Sequence, residues 1–415
     1  MKIAQNIKEL LGLERNVLVL GCTSAVATFA NLAWMFFFPI YLQDMGLNAI
    51  HISSIYTIAS GFQVLMLFPS GYLGDKYGSK NLIVLGSFVA SLSPIFLLFV
   101  ETQVHLRWLM ALLGLLFSYL GFALLAPNVS TVIVESVPED RKATAVASFS
   151  TMSQVLAVSA PAIGAIMSTT HGYNSLFLLA FLLTFLVAIV RIPLLQELTP
   201  TPENINALHK RSAPFRFDIR FILSRRNIMT LLIAYAIYEG GLSLTGWVLP
   251  LYASSELDMN KIEIGTMFSL TSFSLFVFQI PFGKLSDKIG RRKVVFLSWL
   301  GETAALAMFI YATNPIIGIA IFGIRQALGQ MDLPARSAWI GDFTSPQNRA
   351  TIYGLFGFLL GLVSIPLPII GGGLYSLDPK FPFFVQFIFS IVAITVLLKF
   401  TSGDLKSVPK HKKKD

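Results

Sequence analysis

An all-α membrane protein with twelve transmembrane helices in two pseudo-symmetric six-helix bundles is the fold class this 415-residue sequence predicts. Three observations predict it. Hydrophobic residues make up 54% and charged residues 13%, with 35 Phe and a mean hydropathy of +0.69; a soluble domain carries roughly 25% charged residues. The apolar residues fall into twelve runs, each near the roughly 20 residues that a helix needs to cross a bilayer core. Finally, the charged turn Gly71-Tyr-Leu-Gly-Asp-Lys-Tyr-Gly-Ser-Lys80 returns as Gly283-Lys-Leu-Ser-Asp-Lys-Ile-Gly-Arg-Arg292, 212 residues on. Seven of its ten places agree in kind, so the chain reads as two copies of one plan.

Composition also excludes. The single cysteine, Cys22, rules out an internal disulfide, and the five histidines are scattered without ligand spacing, so neither metal nor cofactor is expected. A sequence pI near 9.5 is no sign of a nucleic-acid partner, because the basic residues lie in the turns of a membrane protein. No Gly-rich phosphate loop follows a strand, and no nucleophile–base pair can be placed, so an enzyme is not expected.

Residues 1–16 are polar, and the apolar run that follows continues to Tyr41, too long for a cleaved signal. The first six spans are expected at about 17–41, 50–72, 81–100, 106–133, 142–168 and 174–195. Residues 196–226, with Pro200, Pro202, Pro214 and seven basic or His residues from His209 to Arg226, read as a basic interdomain loop with an amphipathic surface helix at about 217–225. Spans 7 to 12 follow at about 228–253, 262–284, 293–312, 315–340, 349–375 and 382–400. The domains are therefore 1–195, the loop 196–226, the second bundle 227–401 and a basic tail 402–415. Of the 31 Lys and Arg, Arg107, Lys261 and Lys380 fall in turns of the side opposite the termini, and Arg325 within a span. The remaining 27 lie on or near the termini's side, which places both termini in the cytoplasm of a cell-membrane protein.

The repeated turn has a physical reading. A carboxylate beside a helix start suits the N-terminal dipole, and the lysines and arginines hold the turn in the cytoplasm. It resembles the loop signature of the major facilitator superfamily, found between helices 2 and 3 and again between 8 and 9. The second copy fits every place; the first departs at Ser79, where a basic residue is usual. By this resemblance Gly71, Asp75, Lys76, Gly78 and Lys80, with Gly283, Asp287, Lys288, Gly290, Arg291 and Arg292, form gating loops. Glu135 with Arg141, and Asp342 with Arg349, match the family's second loop signature, whose charges exchange partners with the Asp75-type loop as the halves rock. The alternative is a solvated turn whose exposed pairs contribute about 0–1 kcal/mol. Other repeats agree: Pro39/Pro250, Pro127/Pro334, Glu135/Asp342 and Pro161-Ala-Ile-Gly164/Pro368-Ile-Ile-Gly371. The resemblance implies alternating access, with substrate bound near the midplane between the halves. It also implies that spans 1, 4, 7 and 10 line a cavity while 3, 6, 9 and 12 face outward.

Charges inside spans are functional candidates, because each is costly there. The second half has three near mid-depth: Glu239 in span 7, Glu302 in span 9 and Arg325 in span 10. Asp332 and Arg336 continue a polar stripe from Arg325 at helical spacing. The functional reading gives Arg325 an anionic or polar substrate and Glu239 the coupling proton. The alternatives are a permanent Glu239–Arg325 pair, or a structural Glu302–Arg325 pair. Neutral candidates are Asn31, Trp34, Gln63, Tyr119 and Gln154, each equally able to serve helix–helix hydrogen bonding. Arg325-Gln-Ala-Leu-Gly329 resembles the Arg-x-x-x-Gly signature of the superfamily's proton-coupled drug antiporters, though in the other half; Ala160-Pro-Ala-Ile-Gly-Ala165 is a degenerate form of their span-5 signature. The expected function is secondary active transport, as proton-coupled export of small amphipathic or organic compounds by a monomer in the bilayer. The rivals are a proton symporter importing an organic anion and a transport-inactive receptor or scaffold.

Overall fold

The computed structural model describes residues 14–138, 141–197, 226–342 and 349–400. The expected surface helix at 217–225 and the basic tail lie outside the described residues. Among those described, every regular element is helical, and eleven stretches are long and apolar enough to cross a membrane.

Continuous helices form span 2 (Ala49–Tyr77), span 3 (Ser79–Thr102), span 4 (Arg107–Glu135), span 6 (Gly172–Leu194), span 8 (Lys261–Ile289), span 9 (Arg291–Ile310) and span 12 (Phe381–Phe400). The other five are broken. Span 1 is Arg15–Met35 then Phe38–Asp44, and span 7 is Arg226–Thr245 then Leu249–Ser255. Span 5 is Lys142–Gln154 then Ala160–Thr170, span 10 Pro315–Gly329 then Asp332–Asp342, and span 11 Arg349–Ser364 then Leu367–Leu377. Span 5 is the twelfth crossing, and its wide break leaves no single apolar helix there. The repeated prolines explain the breaks. Pro39, Pro161, Pro250 and Pro368 each sit in the first turn of a restarted helix, where the missing N–H costs nothing and the fixed φ suits the helix. Pro127 differs, lying inside the unbroken helix of span 4.

The repeated turn is tighter than expected. Gly71–Tyr77 and Gly283–Ile289 are helical, and one residue makes each reversal: Gly78 at φ +89° and Gly290 at φ +95°. A side chain is strained at such angles, which accounts for glycine at both places. At the opposite end the copies also match. Asn48 caps span 2 by accepting from the His51 N–H, and Asn260 caps span 8 in a reciprocal capping box with Glu263.

The cores show how the halves meet. At the end far from the repeated turns, one apolar core runs through both halves, from Ala33, Trp34 and Phe38 to Trp247, Tyr252 and Phe322. Toward the repeated turns, the buried clusters belong to one half each: Val17, Ile83 and Val132 in the first, Leu231, Trp299 and Ile340 in the second. The repeated Pro-x-x-Gly of spans 5 and 11 lies beside the seam. Gly164 lies against the Ala33 backbone and Gly371 against the Leu244 backbone, each within its own half. One residue further on, the halves touch: Ala165 Cβ would be 2.6 Å from a side-chain carbon built on Gly265, and Gly372 lies against Ser53. Phe36 stacks on Phe268 at 4.1 Å and Tyr56 on Trp247 at 5.8 Å across the same seam. Lys261 lies 4.0 Å from Asp44 and over the Tyr173 ring. The molecule is closed at the far end.

Candidate functional site

The chemistry concentrates where spans 7, 9 and 10 meet in the second half. Span 7 reads Tyr235-Ala-Ile-Tyr238-Glu239, which puts both tyrosines on one helical face at i, i+3 with the glutamate beside them. Tyr238 stacks on Trp299 of span 9 at 4.3 Å, and Tyr235 meets the same indole edge-on at 4.9 Å. This packing aims each hydroxyl at a carboxylate. Tyr238 donates to Glu302 at 2.6 Å, and Tyr235 donates to Asp332 at 2.6 Å.

Two ion-paired groups result. Arg325 lies 3.1 Å from Glu302, with side chains only 6% and 11% exposed. Arg336 holds Glu239 at 2.5 Å through Nη1 and approaches Asp332 at 3.6 Å through Nε, over the Tyr235 ring at 4.9 Å. Here the side chains are more open, 21% for Arg336 and 31% for Glu239. Three carboxylates therefore face two guanidiniums, an excess of one negative charge.

This differs from the opposition of Glu239 and Arg325 expected from depth alone. Each has another partner, so no permanent pair joins them. Arg325 is enclosed between spans 9 and 10, and its Nε is buried without a hydrogen-bond partner among the described residues. Glu302 also sits on a span expected to face outward, yet its side chain turns inward to spans 7 and 10.

The neutral candidates are dispersed. Asn31 donates to Ser118 at 3.1 Å, a link between spans 1 and 4 at the place that Arg325 occupies in the other half. Trp34 is buried in the far-end core, edge-on to Phe38 and Phe177, so it packs and does not line an opening. Gln63 and Tyr119 are half-buried on spans 2 and 4, and Gln154 is the last residue before the break of span 5. None of them joins the charged group. Gln326 was not among the candidates; it donates to Thr271 at 2.7 Å, tying span 10 to span 8.

At the repeated turns, Arg291 pairs with Asp287 on its own turn and lies 3.6 Å from Asp342 at the end of span 10. That joins the two loop signatures within the second half. Arg292 donates instead to the Leu398 carbonyl at 2.7 Å, while Lys288 and Gly283 lie on the last turns of span 8. In the first half, Gly71, Asp75 and Lys76 are on the last turns of span 2, and Lys76 lies over the Tyr77 ring at 5.0 Å. Lys80 opens span 3, Glu135 closes span 4 and Arg141 precedes span 5. The Arg349 side chain lies outside the described residues.

One buried cation was not singled out from the sequence. Arg191 in span 6 is 2% exposed and donates to Thr23 at 3.0 Å, Ser24 at 2.9 Å and Ser87 at 2.7 Å. It ties spans 1, 3 and 6 together through hydroxyls. It lies three residues from the end of span 6, and from the sequence it was counted only among the 27 basic residues on or near the termini's side.

A family model described as Major Facilitator Superfamily matches residues 19–245 and 231–415. The chain belongs to this superfamily. It is 24% identical over 400 residues to an MFS-type transporter of Methanocaldococcus jannaschii, covering 93% of this chain and 95% of that one. It is 22% identical over 340 residues to the multi-drug resistance efflux pump PmrA of Streptococcus pneumoniae, covering 79% and 82%. Its fold matches the crystal structure of the nucleoside transporter NupG at a TM-score of 0.73 and 14% identity, over 93% of this chain and 100% of that one. The superfamily member is thus a multi-pass membrane transporter for small molecules and not an enzyme.

Proposed function

We propose that this transporter works by alternating access as a proton-coupled exporter of small amphipathic or organic compounds, with both termini and residues 196–226 in the cytoplasm. The observation that carries the reading is the group of Glu239, Asp332 and Arg336, where carboxylates outnumber the cation and Glu239 is open enough to meet water. A proton carrier needs an acid within a span that water can reach and that has a counter-charge to hold it when ionised. Glu239 meets that need. The import of an organic anion through Arg325 loses support, because that guanidinium is already held by Glu302. The halves share an apolar core at the far end and have separate cores toward the repeated turns, a state that an alternating-access exporter passes through when it loads and an importer when it releases. The relative PmrA is an efflux pump, which agrees with export.

The test is a compound screen in proteoliposomes under an imposed pH gradient, reading proton movement on addition of each compound. Glu239→Gln mimics the protonated acid, so it should keep substrate exchange and lose uphill transport. Uphill transport by this variant would move the proton site elsewhere. Orientation is read separately, with single cysteines at Ser212 and Ser255 in a Cys22→Ser background. On intact cells an impermeant thiol reagent should label position 255 and spare 212; the reverse would overturn the topology.

A further inference from the structure

We propose that the stack of Tyr56 on Trp247, with the hydroxyl of Tyr119 beside it, recognises neutral planar aromatic compounds that carry a hydrogen-bond acceptor such as a ring carbonyl. This rests on the reading of the chain as an exporter of organic compounds and names their class. Tyr56, Ser60 and Gln63 share one face of span 2 at i, i+4 and i+7. To one side of that face Ser70 donates to the Leu124 carbonyl of span 4; to the other, Gly61 and Val64 lie against Ile365 and Gly361 of span 11. Phe62, Leu65 and Met66 are exposed on the opposite side of the helix. The Tyr56 face therefore turns to the interior between the halves and away from lipid. Trp247 meets it from the second half, with ring centroids 5.8 Å apart and planes 29° apart. The indole sits in the break between Thr245 and Leu249, and irregular backbone at membrane depth lies inside protein or against a water-filled opening. Tyr119 of span 4 packs on the same core, within electrostatic reach of Tyr56.

What these side chains lack is an acceptor. The Trp247 indole N–H is buried without a partner, and neither tyrosine hydroxyl nor the Gln63 amide has one among the described residues. Tyr41, Tyr235, Tyr238 and Tyr252, by contrast, each donate to a carbonyl or a carboxylate. A buried donor left unpaired is costly, and an indole N–H can only donate. A ligand oxygen brought to the stack would satisfy that donor and the hydroxyls beside it, while the rings offer flat apolar faces to the ligand's body. Because Trp247 belongs to one half and both tyrosines to the other, one bound molecule would be held from both. Charge takes no part. The Asp, Glu, Lys and Arg residues of spans 2 and 4 lie only in their end turns, and on span 7 Glu239 is eight residues before Trp247. Nothing at the stack selects for an ion.

The experiment is photolabelling of the purified full-length transporter in micelles with benzophenone, itself a neutral aryl ketone. Two protecting compounds of nearly the same flat shape weigh the acceptor: coumarin, which carries a lactone carbonyl, and naphthalene, which has none. Mass spectrometry should place the label on peptides from 49–77, 107–135 and 226–255. Coumarin should protect at about a tenfold lower concentration than naphthalene, the effect of one or two hydrogen bonds. Tyr56→Phe, Tyr119→Phe and Trp247→Phe each keep a ring and lose a donor. Each should narrow that gap to about two- to threefold while naphthalene protects as before. If Trp247→Phe does not fold, the two tyrosine variants decide. A coumarin preference that survives intact in the folded variants overturns the roles given to these donors. Label that misses these spans, or equal protection by the two compounds, overturns the site and leaves proton-coupled export standing. Coumarin-selective protection in a protein that moves no protons in the vesicle screen would refute the proton-coupled reading and leave this site standing.

Discussion

The pair of Glu302 and Arg325 tests whether the deepest charges are architecture or transport machinery. Their side chains are 11% and 6% exposed and 3.1 Å apart, so removing either partner strands the other away from water. Breaking a buried pair costs about 3–5 kcal/mol. Arg325→Met leaves Glu302 with its Tyr238 hydrogen bond, which should hold the loss near the lower bound, about 3 kcal/mol. Glu302→Gln leaves a guanidinium whose Nε has no partner among the described residues, so the loss should be larger, about 4 kcal/mol. Because the second change removes the charge stranded by the first, the double variant should cost about 4 kcal/mol, far less than both losses together, a coupling of about 3 kcal/mol. Equilibrium unfolding of the four proteins in mixed micelles supplies the cycle. A coupling below about 0.5 kcal/mol would refute the reasoning, since it would place the pair in a high-dielectric setting. Transport by the double variant would further show that Arg325 does not hold substrate.

Other expectations follow from the seam and the turns. Gly265→Val should force spans 5 and 8 apart and raise the accessibility of a single cysteine placed at Ser255 to impermeant reagent, because its first carbon would already sit 2.6 Å from Ala165 Cβ. Trp34→Ala should destabilise by about 3–5 kcal/mol in the same unfolding assay, as expected for a large aromatic lost from a core. Asp287→Asn, which loosens the tie through Arg291 to Asp342, and Asp75→Asn should each slow transport in vesicle assays; wild-type rates in both would reduce the loops to topological signals. Lys261→Gln should change stability by no more than about 1 kcal/mol, since its pair with Asp44 is half-exposed.

The architecture was legible because it is written in features that survive without contacts. Apolar length gives the spans, and Pro39/Pro250, Pro161/Pro368 and the repeated glycine turns give the two-fold plan. What these prolines do locally was less visible. A run of apolar residues looks the same whether or not it breaks, so spans 1, 5, 7, 10 and 11 read as single helices. The pairing of charges was harder still. Counting along a helix gives the depth of Glu239 and Arg325, but not the rotation of each helix about its axis. That rotation turns Arg325 to Glu302 and brings Arg336, further along the polar stripe, to Glu239. The tyrosines at 235 and 238 were the missed signal, as buried hydroxyls seek a partner and both found carboxylates.

The way the ion pairs are distributed along the chain also sets the order in which the protein can be made. Spans 9 and 10 are consecutive, joined by a short turn after Ile310, and Glu302 and Arg325 neutralise one another across it. A lone charge at the centre of an inserting helix costs about 2.5–3.5 kcal/mol, so these two spans are best delivered to the bilayer together as a hairpin. Glu239 has no such neighbour. Its counter-charge, Arg336, leaves the ribosome 97 residues later, after spans 8 and 9 have been made. Span 7 therefore carries this cost without its counter-charge, and its ionic tie can form only once spans 8, 9 and 10 have followed, which makes that tie a late step of biogenesis.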